Sequence, residues 1–233
     1  ATVAPALSHR GPAMGSQYTL KIAGPALSTA EQDAARAAVA AAIERVEMAM
    51  STYRPAPELS RFNAHDAGTP FAFSAETLAV FAAAQEVASA SGGAFDVTVL
   101  PAVDAWGFGP SIARESRAVP STVAVADARA SIGWQALTVD AAAGTLVKHR
   151  TGIKADLSGI AKGHGADAAA RALDALGHRD YMIEVGGEVV VRGRNPDGSA
   201  WRIGIEAPDA VPQRAHTIVP LVDRAMATSG DYR

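Results

Sequence analysis

The chain has 233 residues, of which 48% are hydrophobic and 19% charged, and its formal net charge is −3. This composition provides ample material for a hydrophobic core, and the near-neutral charge offers no basic surface of the kind that binds nucleic acid. The absence of cysteine excludes disulfides, thiolate metal ligands and a cysteine nucleophile, and no apolar run approaches the ~20 residues of a transmembrane helix.

The N-terminal part of the chain is predicted to contain one strand and one long helix. Residues 1–13 are expected to form a loose lead-in, and they lack the basic start and apolar middle of a signal peptide. Residues 16–23 alternate between apolar and polar side chains, which predicts a strand. Ser28 and Glu31 have the spacing of a capping box, which predicts a helix that continues to about Met50.

Tyr53 lies in the loop after this helix, which Pro55 ends because a proline disfavours a helical conformation at the preceding residue. A tyrosine in such a loop can stack on a planar ligand, since its ring offers a rigid apolar face with a polar tip. The alternative is a partly buried packing residue, and the residues alone leave both interpretations open.

The middle of the chain is predicted to alternate helices with short strands. Ser74 is a suitable N-cap for a helix that reaches about Ala90, where two glycines follow. Beyond this helix we predict a strand at 97–100, a helix that starts at Pro120-Ser121 and ends near Gly133, and strands at 134–140 and 145–149.

The stretch 153–167 contains the densest group of candidate site residues. Alternation over its first five residues predicts a returning strand, with Lys154 and Asp156 on one face. Three glycines follow within seven residues, and then an alanine-rich helix that Gly177 can end. Such a junction favours an anion such as a phosphate, because it offers unpaired N–H groups at a positive helix end. Asp156 adds a carboxylate that could face a hard cation, and Lys162 adds a mobile positive charge.

The same glycines would also suit a tight turn without a ligand, with Lys154 and Asp156 as ordinary strand-edge charges. Their spacing matches neither the dinucleotide-binding G-x-G-x-x-G nor the P-loop, so neither standard nucleotide motif is present. The six histidines are scattered, and we interpret none of them as a metal ligand. Catalysis by Ser, His and Asp lacks the G-x-S-x-G elbow that would support it.

The C-terminal part of the chain is predicted to be rich in strands. Residues 181–185 form an apolar strand, and residues 189–194 and 201–205 are predicted to pair as a β-hairpin around a turn at 195–198. A further strand is predicted at 216–222. Long helices interleaved with hairpins indicate an α+β fold of layered helices and largely antiparallel sheets, rather than a doubly wound parallel sheet.

Six short motifs stand in a familiar order along the chain. They are Met14-Gly-Ser16, Ser51-Thr-Tyr53 with Ser60-Arg-Phe-Asn63, Gly93-Ala-Phe-Asp96, Asp156-Leu-Ser-Gly-Ile-Ala-Lys-Gly163, Val185-Gly-Gly187 and Thr228-Ser-Gly-Asp-Tyr232. Together they resemble the ApbE family, the FAD:protein FMN transferases formerly described as thiamine-biosynthesis lipoproteins. The resemblance covers essentially the whole chain. It implies a two-lobed architecture, with a transferase domain at 14–233 after the lead-in at 1–13.

The resemblance implies an Mg²⁺-dependent enzyme that cleaves FAD, attaches FMN to a Ser or Thr of a target flavoprotein subunit and releases AMP. The implied FAD contacts are Met14, Tyr53, Ala94, Phe95, Asp96, Asp156 and Lys162, and the carbonyl of Gly159 is an implied Mg²⁺ ligand. No residue is identified as the catalytic base. The chemistry agrees, because diphosphate cleavage needs charge neutralisation and alignment and a main-chain carbonyl suits Mg²⁺.

The resemblance also implies export to the periplasm and attachment to the inner membrane through a lipid-bearing cysteine that would precede Ala1. Family members continue past the Thr-Ser-Gly-x-Tyr motif with a Ser-His-x-Ile-Asp-Pro motif and a late Asp-rich motif that supplies the remaining Mg²⁺ ligands. Nothing corresponding follows Arg233, so we expect the chain to be a fragment of a longer molecule. The other interpretations are an FAD-binding protein without transfer activity, an FAD pyrophosphatase that gives FMN and AMP, and an α+β scaffold without a ligand.

Overall fold

A computed structural model describes residues 3–52, 57–109, 119–208 and 214–230. The helices are α1 (Thr29–Met50), α2 (Glu58–Ala64), α3 (Ala75–Ala90), α4 (Leu100–Ala105), α5 (Thr122–Ala130) and α6 (Ser158–Ala175). The strands are β1 (Leu7–Ala13), β2 (Ser16–Ile22), β3 (Phe71–Ala72), β4 (Leu137–Asp140), β5 (Thr145–Lys148), β6 (Tyr181–Val185), β7 (Glu188–Arg192), β8 (Trp201–Glu206), β9 (Ala215–Leu221) and β10 (Arg224–Met226). In the described part of the chain, no helix combines the length and the apolar character needed to cross a membrane.

The predicted α+β class is confirmed, and every strand pair among the described residues is antiparallel. The chain divides into two compact units. The first unit comprises residues 1–47 and 162–233, and the second comprises residues 48–161. The unit boundaries fall inside α1 and α6.

The first unit is built on a five-stranded sheet with the order β1-β2-β6-β7-β10. Successive side chains of a strand face opposite sides of the sheet, so Ile183 and Met182 of β6 belong to different core clusters. The cluster around Ile183 includes Val39 of α1 and Leu173 of α6, both fully buried. The cluster around Met182 includes Trp201, from the two-stranded sheet of β8 and β9.

The segment predicted as a loose lead-in is a strand from residue 7 onward, so that prediction was wrong. β1 pairs antiparallel with β2 over its whole length, from Leu7 opposite Ile22 to Ala13 opposite Ser16. Leu7 and Ala13 are both buried. Apolar and polar side chains alternate only weakly in this segment. The strand forms because it pairs with β2, and a local sequence pattern does not reveal such pairing.

The predicted hairpin of 189–194 with 201–205 is also wrong. β7 pairs with β6 and β10, whereas β8 pairs with β9 in a separate sheet. The turn between them forms as predicted, with the Gly198 N–H donating to the Asn195 carbonyl at 2.9 Å, but it carries the chain from one sheet to another. Trp201 and Leu221 are thereby buried against Val191, and this apolar burial favours the change of sheet.

The predicted helix starts are confirmed by their caps. The Ser28 N–H donates to Glu31 Oε2 at 2.8 Å, and the Glu31 N–H donates back to Ser28 Oγ at 3.3 Å. Ser74 accepts a hydrogen bond from the N–H of Thr77 at the start of α3. Ser121 caps α5 in the same way. Each serine satisfies an N–H that has no partner within its helix.

The second unit combines a small sheet of order β3-β5-β4 with α2 to α5. Its core contains the buried rings of Phe62, Phe73 and Phe81, which pack with the half-buried Phe71, and neighbouring ring centroids lie 4.8 to 6.0 Å apart. The rings meet at tilted or edge-on angles, the arrangement that aromatic quadrupoles prefer. This cluster buries α2 against the sheet and fixes its position within the unit.

Two further strand predictions need correction. Residues 97–100 were predicted as a strand, but they lead into α4. Pro101 lies in the first turn of α4, where the backbone N–H that proline lacks would have no partner within the helix, so proline favours a helix start at this position. The strand predicted at 134–140 begins only at Leu137, after a 3₁₀ turn at Trp134–Ala136.

Candidate functional site

Three of the motif segments lie side by side in the second unit. The Asn63 side chain bonds the backbone of Ala155, and the Val97 carbonyl, directly after the Gly93-Ala-Phe-Asp96 motif, accepts from the Asp156 N–H at 2.7 Å. The Phe95 ring packs on the start of α6, where a Cβ added to Gly159 would lie 3.2 Å from Phe95 Cε2.

The backbone around Asp156 differs from the predicted strand and glycine loop. Residues 153–157 form no strand ladder, and α6 begins at Ser158, so the three glycines lie inside the helix. Lys154 and Asp156 do not share a face, because Lys154 is exposed and Asp156 is buried. The prediction failed because side-chain hydrogen bonds, rather than a neighbouring strand, hold this segment.

The Asp156 carboxylate lies at the N-terminus of α6. Its Oδ1 accepts from the N–H of Ser158, the first residue of the helix, at 2.7 Å. A carboxylate at this end satisfies an orphan N–H and interacts favourably with the helix dipole. Oδ2 accepts no hydrogen bond from any residue in the described ranges, and the residue is only 9% exposed. One carboxylate oxygen therefore has no hydrogen bond to a described residue.

The Asp96 carboxylate, by contrast, is used within the protein. Its Oδ1 accepts from the N–H and the hydroxyl of Thr98, each at 2.7 Å, and its Oδ2 accepts from the Trp134 N–H at 2.9 Å. Thr98 is fully buried, and its hydroxyl oxygen accepts from the Gly133 N–H at 2.8 Å. These bonds tie the Ala94-Phe95-Asp96 segment to the 133–134 turn, which leaves Ala94 exposed and Phe95 half-buried.

In the first unit, Met14 occupies a strained turn between β1 and β2. Its φ is +47°, a backbone conformation that residues other than glycine rarely adopt, and the φ of the following Gly15 is +75°. The Met14 N–H donates to Glu47 Oε2 at 3.1 Å, and the thioether packs on Gly165 of α6, where a Cβ would lie 3.2 Å from the sulfur. Strain of this kind costs about 1–3 kcal/mol and persists mainly at functional positions.

Lys162 lies beside the other glycine motif of the first unit. Its Nζ donates to the Gly186 carbonyl at 3.0 Å and forms an ion pair with Glu188 Oε1 at 3.2 Å. Glu188 Oε2 accepts from the Thr228 N–H at 3.3 Å. A Cβ on Gly186 would lie 3.0 Å from Lys162 Cδ and 3.6 Å from Ser16 Cβ. Segments of four motifs thus adjoin within this unit, and Lys162 keeps 36% of its side chain exposed.

Three residues of the motifs lie outside the described residues. They are Tyr53, Asp231 and Tyr232. Stacking of Tyr53 on a planar ligand therefore stays a prediction.

Two residues near the start of α6 carry oxygen atoms of the kind that could bind Mg²⁺. This ion prefers oxygen ligands, and it is commonly bound by one or two carboxylates together with waters and substrate phosphates. Asp156 offers a free carboxylate oxygen, and Gly159 offers a carbonyl in the first turn of α6. In the part of the chain that the structure describes, no three His, Cys, Asp or Glu side chains are grouped so that they could hold a metal ion by themselves.

Two supporting residues were not predicted from the sequence. Lys148 is 4% exposed, and its Nζ donates to the carbonyls of Phe62 and Asn63 at 3.0 and 3.1 Å. Burial lowers the pKa of Lys148, the nearby Lys154 lowers it further, and Asp66 opposes the shift. Glu188, the ion-pair partner of Lys162, is the second. A lysine on an alternating strand and a glutamate after two glycines carry no local signal of these contacts.

Comparison with known proteins gives one consistent result. A model of the ApbE family matches residues 14–233. An FAD:protein FMN transferase of Vibrio cholerae is 41% identical over 224 residues, which are 96% of this chain and 65% of that protein. One from Haemophilus influenzae is 37% identical over 229 residues, which are 97% of this chain and 66% of that protein. The chain therefore spans slightly less than two thirds of these curated relatives.

Solved structures agree with the sequence comparisons. The flavin transferase ApbE from Vibrio cholerae superposes with a TM-score of 0.86 at 41% identity, covering 97% of this chain and 72% of that one. The apbe protein from Thermotoga maritima gives the same TM-score, 0.86, at 25% identity, with coverage of 97% and 71%.

Proposed function

The chain belongs to the ApbE family, and on that premise we propose that it functions as an FAD:protein FMN transferase. Its substrates would be FAD and a flavoprotein that bears an acceptor Ser or Thr. The observation that carries the proposal is the match of one family model to residues 14–233, supported by relatives of that name at up to 41% identity.

The proposed reaction transfers FMN to the acceptor through the phosphorus atom of FMN. The acceptor hydroxyl oxygen forms a bond to the phosphorus of the FMN half of FAD, and the bond from that phosphorus to the bridging oxygen breaks. AMP leaves with the bridging oxygen, and the hydroxyl proton is released to solvent. Catalysis of such a transfer depends mainly on alignment and on stabilisation of the phosphoryl charge.

The Asp156 carboxylate and the Gly159 carbonyl are proposed to hold Mg²⁺, which when bound would neutralise negative charge on the diphosphate. The Oδ2 of Asp156 supports this role, because it accepts no hydrogen bond from a described residue and a carboxylate oxygen is a ligand that Mg²⁺ prefers. Oδ1 keeps the carboxylate in place through Ser158.

The remaining implied contacts have distinct proposed roles. Lys162 would contribute a positive charge to FAD binding, and its ion-pair partner Glu188 would partly neutralise that charge. The exposed Ala94 and half-buried Phe95 offer backbone and ring surface for FAD. For Asp96 we propose an indirect role, since both carboxylate oxygens already accept protein hydrogen bonds.

Location in the periplasm, with lipid attachment to the inner membrane, is proposed from the family resemblance alone. The test is fractionation of cells that produce the full-length protein. Recovery with periplasmic or inner-membrane markers is expected, and recovery with cytosolic markers would overturn the proposal.

The activity is tested by incubating the full-length protein with FAD, Mg²⁺ and an acceptor flavoprotein subunit, then denaturing and separating the products. We expect flavin fluorescence that stays with the acceptor polypeptide, together with an equal amount of AMP. Free FMN plus AMP without labelled acceptor would instead indicate a pyrophosphatase. FAD that binds and is recovered intact would indicate a binding protein.

A further inference from the structure

Asn63, at the end of α2, makes an unusual pair of contacts with a distant part of the chain. Its Nδ2 donates to the Ala155 carbonyl at 2.8 Å, and its Oδ1 accepts from the Ala155 N–H at 2.7 Å. One side-chain amide thus satisfies both polar groups of one residue, as a neighbouring strand would in a ladder. Ala155 is fully buried, so neither group can turn to water instead.

The residue held in this way stands directly before Asp156. The Asp156 N–H donates to the Val97 carbonyl at 2.7 Å, and its Oδ1 accepts from the Ser158 N–H at 2.7 Å. Because residues 153–157 belong to no strand, these few bonds define the path of the backbone into α6. Substitution of Asn63 would remove two of these hydrogen bonds, both on the N-terminal side of Asp156.

Asn63 is itself held from the other side. The buried ammonium of Lys148 donates to the carbonyls of Phe62 and Asn63 in the last turn of α2. The Phe62 carbonyl also accepts from the His65 N–H at the C-cap at 3.0 Å, and Lys148, supplied by β5, adds a positive charge at this C-terminal end of α2. The Phe62 ring lies 5.1 Å from Lys148 Nζ and anchors the same turn in the aromatic core.

We infer that Asn63 is a positioning residue for the proposed flavin transfer, because its amide holds the Ala155 backbone and thereby sets the Asp156 carboxylate in place. The inference rests on the proposed function for its catalytic consequence, but its structural part stands on the hydrogen bonds alone. Among the described residues, the side-chain hydrogen bonds of Asn63 go to Ala155 alone, so Asn63 acts through the neighbouring Asp156.

The kinetic test is a double-mutant cycle with Asn63→Ala and Asp156→Asn. Asn195→Ala is the matched control, because that side chain also binds local backbone, at the turn before β8. We expect Asn63→Ala to lower kcat/KM for FMN transfer by roughly tenfold to a hundredfold, and Asn195→Ala to leave it unchanged. In the Asp156→Asn background, Asn63→Ala should have little further effect. Full multiplication of the two losses would overturn the inference.

A second readout does not depend on activity. Native-state amide exchange is followed at Ser158, whose N–H is bonded to Asp156 Oδ1. We expect Asn63→Ala to accelerate this exchange by about tenfold or more beyond any change in Asn195→Ala. Equal exchange in both variants would overturn the inference. A wild-type protein without transfer activity would reject the proposed function and leave the exchange result to decide the structural part.

Discussion

The two groups of candidate residues are built on different kinds of backbone. In the first unit, Met14 and Lys162 lie on a hairpin turn and a helix that border a regular five-stranded sheet. In the second unit, Asp156 follows an irregular segment that the side chain of Asn63 and the carbonyl of Val97 hold in place. Regular ladders support one group, and single side chains support the other.

This difference determines what a substitution should do in each group. Regular helices and sheets distribute their backbone hydrogen bonds over many residues. A substitution of Lys162, which lies on α6, should therefore change the local charge and leave the backbone in place. The second group depends on bonds between residues 92 positions apart, as for Asn63 and Ala155. Removal of one side chain there should move the backbone as well as remove a contact.

The largest expected effect is on the core beneath the second group. Phe62→Ala should lower the free energy of unfolding by about 3–5 kcal/mol, because it empties the centre of the aromatic cluster. Phe108→Ala, at a ring that is 54% exposed, is the control and should change stability by less than about 1 kcal/mol. Urea denaturation measures both. A similar loss for both variants would contradict a core located at Phe62.

Asp156→Asn separates the charge of this residue from its hydrogen bond. The amide can still accept from Ser158, so stability should change little, while FMN transfer should fall on the order of 10²-fold. Asp167→Asn, exposed on the same helix, is the control and should keep the wild-type rate. Unchanged transfer by Asp156→Asn would make Asp156 a structural residue.

Asp96→Ala tests whether that carboxylate supports the fold. The variant leaves the Trp134 N–H and the buried Thr98 hydroxyl without their acceptor, so we expect a loss of about 1.5–3 kcal/mol in the free energy of unfolding. Thermal and urea unfolding would measure it. If stability is unaffected and only FAD affinity falls, Asp96 contacts the flavin nucleotide directly and the indirect role is wrong.

Lys148→Met should change how stability depends on pH. Burial lowers the pKa of Lys148 below its ordinary value of 10.5, so between the two values the unfolded chain binds more protons and stability rises with pH. The variant should lack this rise, and the difference between wild type and variant should grow in favour of wild type as pH approaches 10.5. Parallel stability curves over this alkaline range would contradict a lowered pKa.

The smallest effect is expected at the ion pair of the first group. Lys162 is 36% exposed at the side chain, so Glu188→Gln should change the free energy of unfolding by less than about 1 kcal/mol. Loss of the negative partner should strengthen attraction of an anion to Lys162 and lower the KM for FAD. A raised KM would mean that Glu188 is needed to orient the lysine.

Sequence patterns predicted the parts of this fold that depend on local chemistry. Helix starts at Ser28, Ser74 and Ser121 were predicted because each cap acts within a few residues. The strand at residues 7–13 and the separate pairing of β7 and β8 were missed, because both depend on distant partners.

The candidate site follows the same rule. The motif order predicted Met14, Asp96, Asp156 and Lys162 as site residues, and their segments adjoin other motif segments within each unit. Their roles in binding stay predictions. The roles of Asn63 and Lys148 were not predicted, since side-chain bonds to remote backbone leave no periodic signal.

The most direct test of the central claim is mass spectrometry of the denatured acceptor after incubation with the full-length protein, FAD and Mg²⁺. We expect a single Ser or Thr of the acceptor to carry FMN through a phosphoester bond, with one AMP released for each modified chain. An acceptor of unchanged mass beside correctly folded, FAD-bound protein would contradict it.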